Sequence, residues 1–191
     1  MRVDGVILAG GASSRMGEAK SLLPFNGKTL IEIVVARAAP QVLTLAINAA
    51  RADVDTYKAR FSQTVLPDLY EDKLGPLCGI VTGLAWCGTD WLATFPCDTP
   101  FLPRDLVAQL AKYANTRPVV AKGVQVCGLW PKACLPQLKA SLESGELRSV
   151  LGAVEALSGT VCEITAPEHT FFNVNTKDDL ARAIRLSASE E

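Results

Sequence analysis

The chain has 191 residues and a nearly balanced charge, with 19 lysines and arginines against 20 aspartates and glutamates. This length suits one domain with a sizeable core, and 49% apolar residues exclude a disordered protein. No cluster of like charges offers an electrostatic footprint for nucleic acid or a membrane surface. We therefore expect one domain over residues 1–191, with a frayed tail after about residue 186 and a small-molecule partner.

The cysteines and the N-terminus indicate a reducing compartment. Six cysteines are scattered without a CxxC pair, mostly within apolar stretches, which favours free thiols in a core. The first residues pass directly into a strand pattern without the features of a signal peptide. No apolar run approaches the roughly 18 residues that a membrane span needs. We expect a soluble cytoplasmic protein.

Short apolar runs alternate with stretches of helical period, which is typical of α/β proteins with a mainly parallel sheet. The predicted strands cover residues 3–8, 42–47, 64–66, 91–95, 119–121, 126–130 and 160–164. The predicted helices cover residues 30–38, 53–61, 134–142 and 147–157, and others begin near residues 76, 104 and 176. Thr176 and Asp179 have the spacing of a helix-capping pair. A short turn at residues 122–123 allows antiparallel pairing.

A glycine-rich loop, LAGGASSRMGEAK, follows the first predicted strand at residues 8–20. Glycines let the backbone approach a ligand closely, and successive amide groups donate hydrogen bonds to phosphate. Arg15 and Lys20 add a guanidinium and an ammonium group to this loop, a combination that suits a polyphosphate. The adjacent glycines alone are equally compatible with a tight structural turn, but the two cations favour a nucleotide.

The spacing within this loop excludes two common phosphate-binding patterns. A GxxxxGK[ST] loop needs Gly-Lys five residues after Gly10 or Gly11, and Arg15 and Met16 stand there instead. A GxGxxG loop fails because Gly10 and Gly11 are adjacent and no glycine follows before Gly17. ATP hydrolysis of the kinase type and dinucleotide redox chemistry therefore lose support.

Polar residues stand at several predicted strand ends. Asp98 follows a buried strand, where open α/β sheets bind their ligands. It is a candidate Mg²⁺ ligand, because Mg²⁺ takes one or two carboxylates and completes its shell with waters and phosphates. A turn or helix-capping role is the alternative for Asp98. Four more polar residues stand at predicted strand ends: Asn48, Asp68, Asn173 and Asn175. Because these ends share one edge of the sheet, the four residues are candidates for a functional site.

Four segments together resemble the molybdenum cofactor guanylyltransferases. They are LAGG with SRMG and Lys20, then GPLCGI at residues 75–80, CDTPFLP at residues 97–103 and NVNT at residues 173–176. Many nucleotidyltransferases share the first segment, whereas the CDTPFLP-like and NVNT-like segments together narrow the resemblance to the molybdopterin group. Their order and spacing cover nearly the whole chain.

The resemblance implies a Rossmann-like nucleotidyltransferase fold, with a mainly parallel central sheet and helices on both faces. It implies a Mg²⁺-dependent enzyme that transfers GMP from GTP to molybdenum-bound molybdopterin. Pyrophosphate would leave, and molybdopterin guanine dinucleotide would form. Other cofactor-maturation proteins and recipient molybdoenzymes are the further partners that it implies.

The resemblance also assigns roles to matching positions. Residues expected to bind GTP are Leu8, Ala9, Gly10, Gly11, Lys20, Asn48, Asp68 and Asp98. Asp98 would also hold Mg²⁺, and Arg15, Lys20 and Asp98 are the expected catalytic residues. Asn173 and Asn175 would face the pterin.

Other functions remain open from the sequence alone. A cytidylyltransferase for the same pterin or a sugar-phosphate nucleotidyltransferase would share the first segment. The nucleotide base that the enzyme prefers decides between these functions, and the sequence is a poor guide to it. A non-catalytic nucleotide-sensing or cofactor-carrier module would keep the fold. Such a degenerate member is expected to lose Arg15, Lys20 or Asp98, and all three are present.

Overall fold

The computed structural model describes residues 1–10, 20–70 and 75–188. Within these ranges the strands are β1 (Val3–Leu8), β2 (Pro24–Phe25), β3 (Lys28–Thr29), β4 (Leu45–Ala49), β5 (Thr64–Pro67), β6 (Trp91–Pro96), β7 (Val119–Ala121), β8 (Val124–Pro131) and β9 (Thr160–Cys162). The α-helices are α1 (Leu30–Ala38), α2 (Val54–Lys58), α3 (Pro76–Trp86), α4 (Leu106–Ala111), α5 (Leu135–Glu143), α6 (Val150–Ala156) and α7 (Lys177–Ser187).

Seven of these strands form one sheet in the order β5-β4-β1-β6-β8-β7-β9, and β2 pairs with β3 in a separate hairpin. Strands β5, β4, β1 and β6 are parallel. Strand β8 is antiparallel to both of its neighbours, and β9 pairs in parallel with β7. The expected mainly parallel sheet is confirmed, as is antiparallel pairing across the turn at residues 122–123. The carboxyl ends of four parallel strands therefore share one edge.

Apolar residues on the two faces of the sheet pack against different helices. Ile7 of β1 belongs to a cluster that includes buried residues of α1, α2 and α4. Val6 and Leu8 face the other way, into a cluster with α3, α5 and α6. Because side chains alternate along a strand, one strand supplies both cores, and the expected helices on both faces are confirmed.

A third apolar cluster joins segments that are distant in sequence. Phe25 of the hairpin, Phe101 after β6, Val174 before α7 and Ala183 within α7 are buried together. The Phe25 and Phe101 rings meet edge to face with their centroids 6.2 Å apart. This cluster packs residues 97–103 against the hairpin and α7.

Several predicted boundaries were wrong. Strand β4 begins at Leu45 and not at residue 42, although Leu43 N already donates to the carbonyl oxygen of Val3 at 2.7 Å. Helix α6 begins at Val150 and not at residue 147, because the Ser149 hydroxyl caps the amide of Gly152 at 3.0 Å. Helix α2 ends at Lys58, where a turn follows. The β2–β3 hairpin was not predicted.

The cap of the last helix was predicted correctly. Thr176 and Asp179 form a reciprocal capping box in which each side chain accepts a hydrogen bond from the other residue's backbone amide. Helix α7 continues to Ser187, and the predicted tail lies mostly outside the described residues. No helix in the described part of the chain is long and apolar enough to cross a membrane.

A buried carboxylate holds the amino end of β1. Asp4 is 3% exposed and accepts hydrogen bonds from Thr44 Oγ1 at 2.6 Å, Gly88 N at 2.8 Å and Thr89 N at 3.0 Å. Burial by itself raises the pKa of the Asp4 carboxyl, but these hydrogen bonds together lower it below its usual range. The ionised form is therefore the one that stabilises the fold.

We expect Asp4→Asn to lower the free energy of unfolding by about 1–3 kcal/mol at pH 7. A group whose pKa is lowered by folding contributes stability above its unfolded-state pKa and loses it as the pH falls through the folded value. The difference from wild type should therefore shrink as the pH drops below about 4. Urea unfolding at several pH values measures it, with exposed Asp55→Asn as the control. A deficit that stays constant with pH would contradict this role.

Candidate active site

The carboxyl ends of the parallel strands open into a cleft of about 1020 Å³. Every predicted site residue within the described ranges lines this cleft, namely Leu8, Ala9, Gly10, Lys20, Asn48, Asp68, Asp98, Asn173 and Asn175. Gly11 and Arg15 lie outside the described residues. The sequence was right to group these positions, although two local placements were wrong. Asn48 lies within β4, and Asn173 and Asn175 follow a 3-10 turn and not a strand.

One end of the cleft is organised around the Lys20 ammonium group. Its Nζ atom donates hydrogen bonds to Asp98 Oδ2 at 2.7 Å, Asn175 Oδ1 at 2.5 Å and Asn173 Oδ1 at 3.3 Å. The side chains of Lys20 and Asp98 are 13% and 17% exposed. Solvent therefore screens this ion pair less than it would a surface pair.

The segments that carry the oxygen atoms around Lys20 are held by backbone hydrogen bonds. Val174 N donates to the carbonyl oxygen of Asp98 at 2.9 Å, which ties the NVNT segment to the segment after β6. Asn175 N donates to Asp179 Oδ2 at 3.0 Å. Hydrogen bonds from the Thr176 hydroxyl and the Asn175 amide keep the pKa of the Asp179 carboxyl below its usual range. The arrangement is therefore preorganised by the start of α7.

Asn48 and Asp68 form the other end of the cleft, on the opposite side of β1 from Asp98. Asn48 is 1% exposed, and its Nδ2 donates to Asp68 Oδ1 at 2.8 Å and to the carbonyl oxygen of Leu66 at 3.3 Å. Burial raises the pKa of the Asp68 carboxyl, and the Asn48 hydrogen bond opposes that shift. This end offers a carboxylate and an amide, the groups that can recognise the polar edge of a base.

Two glycines allow the backbone to approach this polar pair. A Cβ atom on Gly10 would lie 2.8 Å from Asp68 Oδ2, and one on Gly79 would lie 2.4 Å from Asn48 Oδ1. Contacts this short do not occur at real Cβ atoms, so a side chain at either position would displace the pair. Gly79 belongs to the GPLCGI segment. The close approach of Asn48 explains why a glycine stands here, in the first turns of α3.

A polar contact beside Lys20 was not predicted from the sequence. The hydroxyl groups of Ser21 and Tyr57 are hydrogen-bonded, and both residues line the cleft. Burial raises the pKa of Tyr57 to about 12, so its hydroxyl stays protonated at neutral pH. Tyr57 falls at an apolar position of the predicted helix over residues 53–61, where it is indistinguishable from a core residue. Only tertiary packing brings it beside Ser21.

The donor atoms present suit a hard divalent cation. Asp98 contributes a carboxylate, and the side-chain oxygens of Asn173 and Asn175 point at the same cation, the Lys20 ammonium. Mg²⁺ prefers oxygen ligands and needs only one or two protein carboxylates. No cluster of three or more His, Cys, Asp or Glu side chains exists in the described ranges, which disfavours a closed all-protein metal cage there.

Comparison with known proteins places the chain in a family. Residues 5–158 match the MobA-like NTP transferase domain. The chain is 42% identical over 195 residues to the molybdenum cofactor guanylyltransferase of Cereibacter sphaeroides, with 97% of each protein covered. It is 37% identical over 207 residues to the Mesorhizobium japonicum protein of that name, covering 98% of this chain and 97% of the relative. The chain belongs to the molybdenum cofactor guanylyltransferase family.

Solved structures confirm the nucleotidyltransferase fold. Molybdopterin-guanine dinucleotide biosynthesis protein A from Archaeoglobus fulgidus superposes with a TM-score of 0.83 at 22% identity, covering 97% of this chain and 99% of that one. Rv0371C of Mycobacterium tuberculosis, solved in complex with manganese, superposes with a TM-score of 0.71 at 18% identity, covering 97% and 99%. At these identities the likeness establishes the fold. Family membership makes the protein a nucleotidyltransferase.

Proposed function

We propose that this protein transfers GMP from GTP to molybdenum-bound molybdopterin, with release of pyrophosphate and formation of molybdopterin guanine dinucleotide. The observation that carries this proposal is the convergence of Lys20 and Asp98, 2.7 Å apart, in the cleft of a chain that belongs to the guanylyltransferase family. A non-catalytic module needs neither group. The names of the relatives favour guanylyl transfer over the cytidylyl and sugar-phosphate alternatives.

GTP lies along the cleft in this proposal, with its base and its phosphates at opposite ends. The nucleoside meets Asn48 and Asp68, and the backbone of Leu8, Ala9 and Gly10 follows the nucleotide from β1. The phosphates meet Lys20, together with Gly11 and Arg15, whose sequence positions support the same role. Backbone amides and cations stabilise a polyphosphate because each supplies a donor or a positive charge.

Asp98 would hold the divalent cation, which is Mg²⁺ in this proposal, with Asn173 and Asn175 beside it. When bound, such an ion neutralises charge on the phosphates. The manganese complex of a protein with the same fold supports a divalent cation in general. The chain's own contribution is to place a carboxylate and two amide oxygens at the end of the cleft where the Lys20 ammonium group meets the phosphates, so that protein groups stabilise the charge that develops there.

The acceptor phosphate of molybdopterin attacks the α-phosphorus of GTP in line with the departing pyrophosphate. The new bond joins an acceptor oxygen to the α-phosphorus, and the bond from the α-phosphorus to the bridging oxygen breaks. A phosphate monoester is already largely ionised near neutral pH, so no general base is required. This agrees with a cleft whose described lining contains no histidine. Lys20 and Arg15 stabilise the charge on the leaving pyrophosphate.

We place the acceptor at the Asn173 and Asn175 end of the cleft. Their side chains are exposed beside Lys20 and Asp98, so a molecule entering there reaches the phosphate end of the nucleotide. The further partners in this proposal are cofactor-maturation proteins and the molybdoenzymes that receive the product. The proposed setting is the cytoplasm.

We expect Asp68→Asn to weaken GTP binding about tenfold and to reduce the preference for GTP over CTP. A guanine base presents two adjacent N–H donors, which a carboxylate can accept together, whereas the asparagine amide has only one acceptor oxygen. Isothermal titration calorimetry with both nucleotides measures the change. Exposed Asp55→Asn is the charge-matched control. An unchanged GTP-to-CTP ratio would remove Asp68 from base recognition.

The proposed substrate is tested by calorimetric titration of GTP, CTP and ATP in the presence of Mg²⁺. We expect GTP to bind most tightly, since the family name and the Asp68 carboxylate both favour guanine. Preferential binding of CTP would replace the proposal by its cytidylyl alternative. Equal, weak binding of all three nucleotides would contradict a preformed guanine site.

A further inference from the structure

The contacts of Lys20 suggest a role for Asn173 and Asn175 beyond facing an acceptor. We propose that Asp98 Oδ2, Asn173 Oδ1 and Asn175 Oδ1 form one cation site, the three-oxygen site, that Lys20 fills in the free protein. A divalent ion takes this site only after the polyphosphate of the nucleotide has drawn Lys20 away. The proposal rests on the proposed function in one respect, that the natural ligand is a nucleoside triphosphate.

The Lys20 ammonium group already has a full set of hydrogen bonds. A lysine ammonium group has three N–H donors and no acceptor. In this structure its Nζ atom has three oxygen partners, at 2.5, 2.7 and 3.3 Å. All three donors are therefore engaged, and Lys20 cannot bind a phosphate with its full capacity until it gives up some of these contacts.

The same three oxygens suit a metal ion, and the two cations cannot occupy the site together. A Mg²⁺ ion lies about 2.1 Å from its oxygen ligands. An ion at that distance from all three oxygens would occupy the space that the ammonium group now fills. Two positive charges held at such short range repel strongly in a partly buried site. Occupation by Lys20 and by a divalent ion is therefore mutually exclusive.

The backbone that carries the three oxygens is held by contacts that do not involve Lys20. The backbone bond between Val174 and Asp98, at 2.9 Å, fixes one side. The bond from Asn175 N to Asp179 Oδ2, at 3.0 Å, fixes the other. Val174 is fully buried in the third apolar cluster. Departure of the lysine thus leaves the backbone that carries the three oxygens in place, and in this proposal the nucleotide is the trigger for metal binding.

The test is Mn²⁺ binding to the 191-residue chain without any nucleotide, measured by electron paramagnetic resonance of the free ion. We expect Lys20→Met to bind one Mn²⁺ at least ~10-fold more tightly than wild type, because the competing charge is gone. Lys20→Gln provides a second neutral variant should the methionine variant fold poorly. Lys177→Met is the matched control, since Lys177 lines the same cleft and the structure gives it no bond to the three oxygens. It should change the affinity less than ~3-fold.

Two further variants locate the ion in the Lys20→Met background. Asp98→Asn should abolish the tight Mn²⁺ site, and Asn175→Ala should weaken it at least ~3-fold. Equal Mn²⁺ affinity in wild type and in both Lys20 variants would overturn the proposal. So would an increase that Lys177→Met reproduces, because that would be a general charge effect. The assay uses neither GTP nor pterin, so failed guanylyl transfer would be a separate result.

Discussion

Asp98→Ala should lower the rate of guanylyl transfer at least ~10²-fold while changing GTP affinity much less. Removing one preorganised charged group at a reacting centre commonly has an effect of this size. Asp98 lies 2.7 Å from Lys20, at the end of the cleft where the phosphates would react. Loss of its carboxylate therefore acts on the reacting phosphates and leaves the nucleoside end intact.

Steady-state kinetics with GTP as the varied substrate separates the two effects of Asp98→Ala on kcat and KM. Asp55→Ala is the matched control, because Asp55 is an exposed carboxylate on α2 that does not line the cleft. We expect the control to retain wild-type kinetics. An Asp98→Ala enzyme with unchanged turnover would exclude Asp98 from the reaction, whatever its effect on binding.

Gly79→Ala should weaken GTP binding at least ~10-fold and lower the free energy of unfolding by about 1–3 kcal/mol. The added Cβ atom would lie 2.4 Å from Asn48 Oδ1 and 2.8 Å from Leu8 Cδ2. Asn48 is buried and hydrogen-bonded to Asp68, so it cannot move without breaking that pair. A single methyl group on α3 would thus disturb the proposed nucleoside end without touching the phosphate end.

Calorimetry and urea unfolding measure the two consequences of Gly79→Ala. Gly88→Ala is the matched control, since the nearest atom to its new Cβ is Asp4 Oδ2 at an ordinary 3.6 Å. We expect the control to bind GTP normally. Wild-type GTP affinity in the Gly79→Ala protein would show that the pair formed by Asn48 and Asp68 does not contribute to nucleotide binding.

The sequence predicted that the loops after β1 and β6 lie at the same edge of the sheet, because both strands belong to its parallel part. Parallel strands bring their carboxyl ends together, and Leu8 is paired directly with Pro96. Lys20, in the loop after β1, and Asp98, directly after β6, are then expected at the same edge of the sheet. The sequence therefore predicts one site for Lys20 and Asp98, although they are distant in sequence, and the structure places them 2.7 Å apart.

The contacts of Asn173 and Asn175 with Lys20 could not be predicted in the same way. These residues follow no strand, and their position depends on the burial of Val174 with Phe25 and Phe101. Such packing between distant segments leaves no periodic pattern in the sequence. The hairpin that carries Phe25 was missed too, because its strands have only two residues each, too few to show alternation.

The most direct test of the account is transfer of label from [α-³²P]GTP to molybdenum-bound molybdopterin by the purified protein with Mg²⁺. We predict a labelled molybdopterin guanine dinucleotide and one unlabelled pyrophosphate for each transfer, with [α-³²P]CTP a much poorer donor. Release of labelled GMP without transfer to the pterin, or efficient transfer from CTP, would contradict guanylyl transfer as the function of this protein.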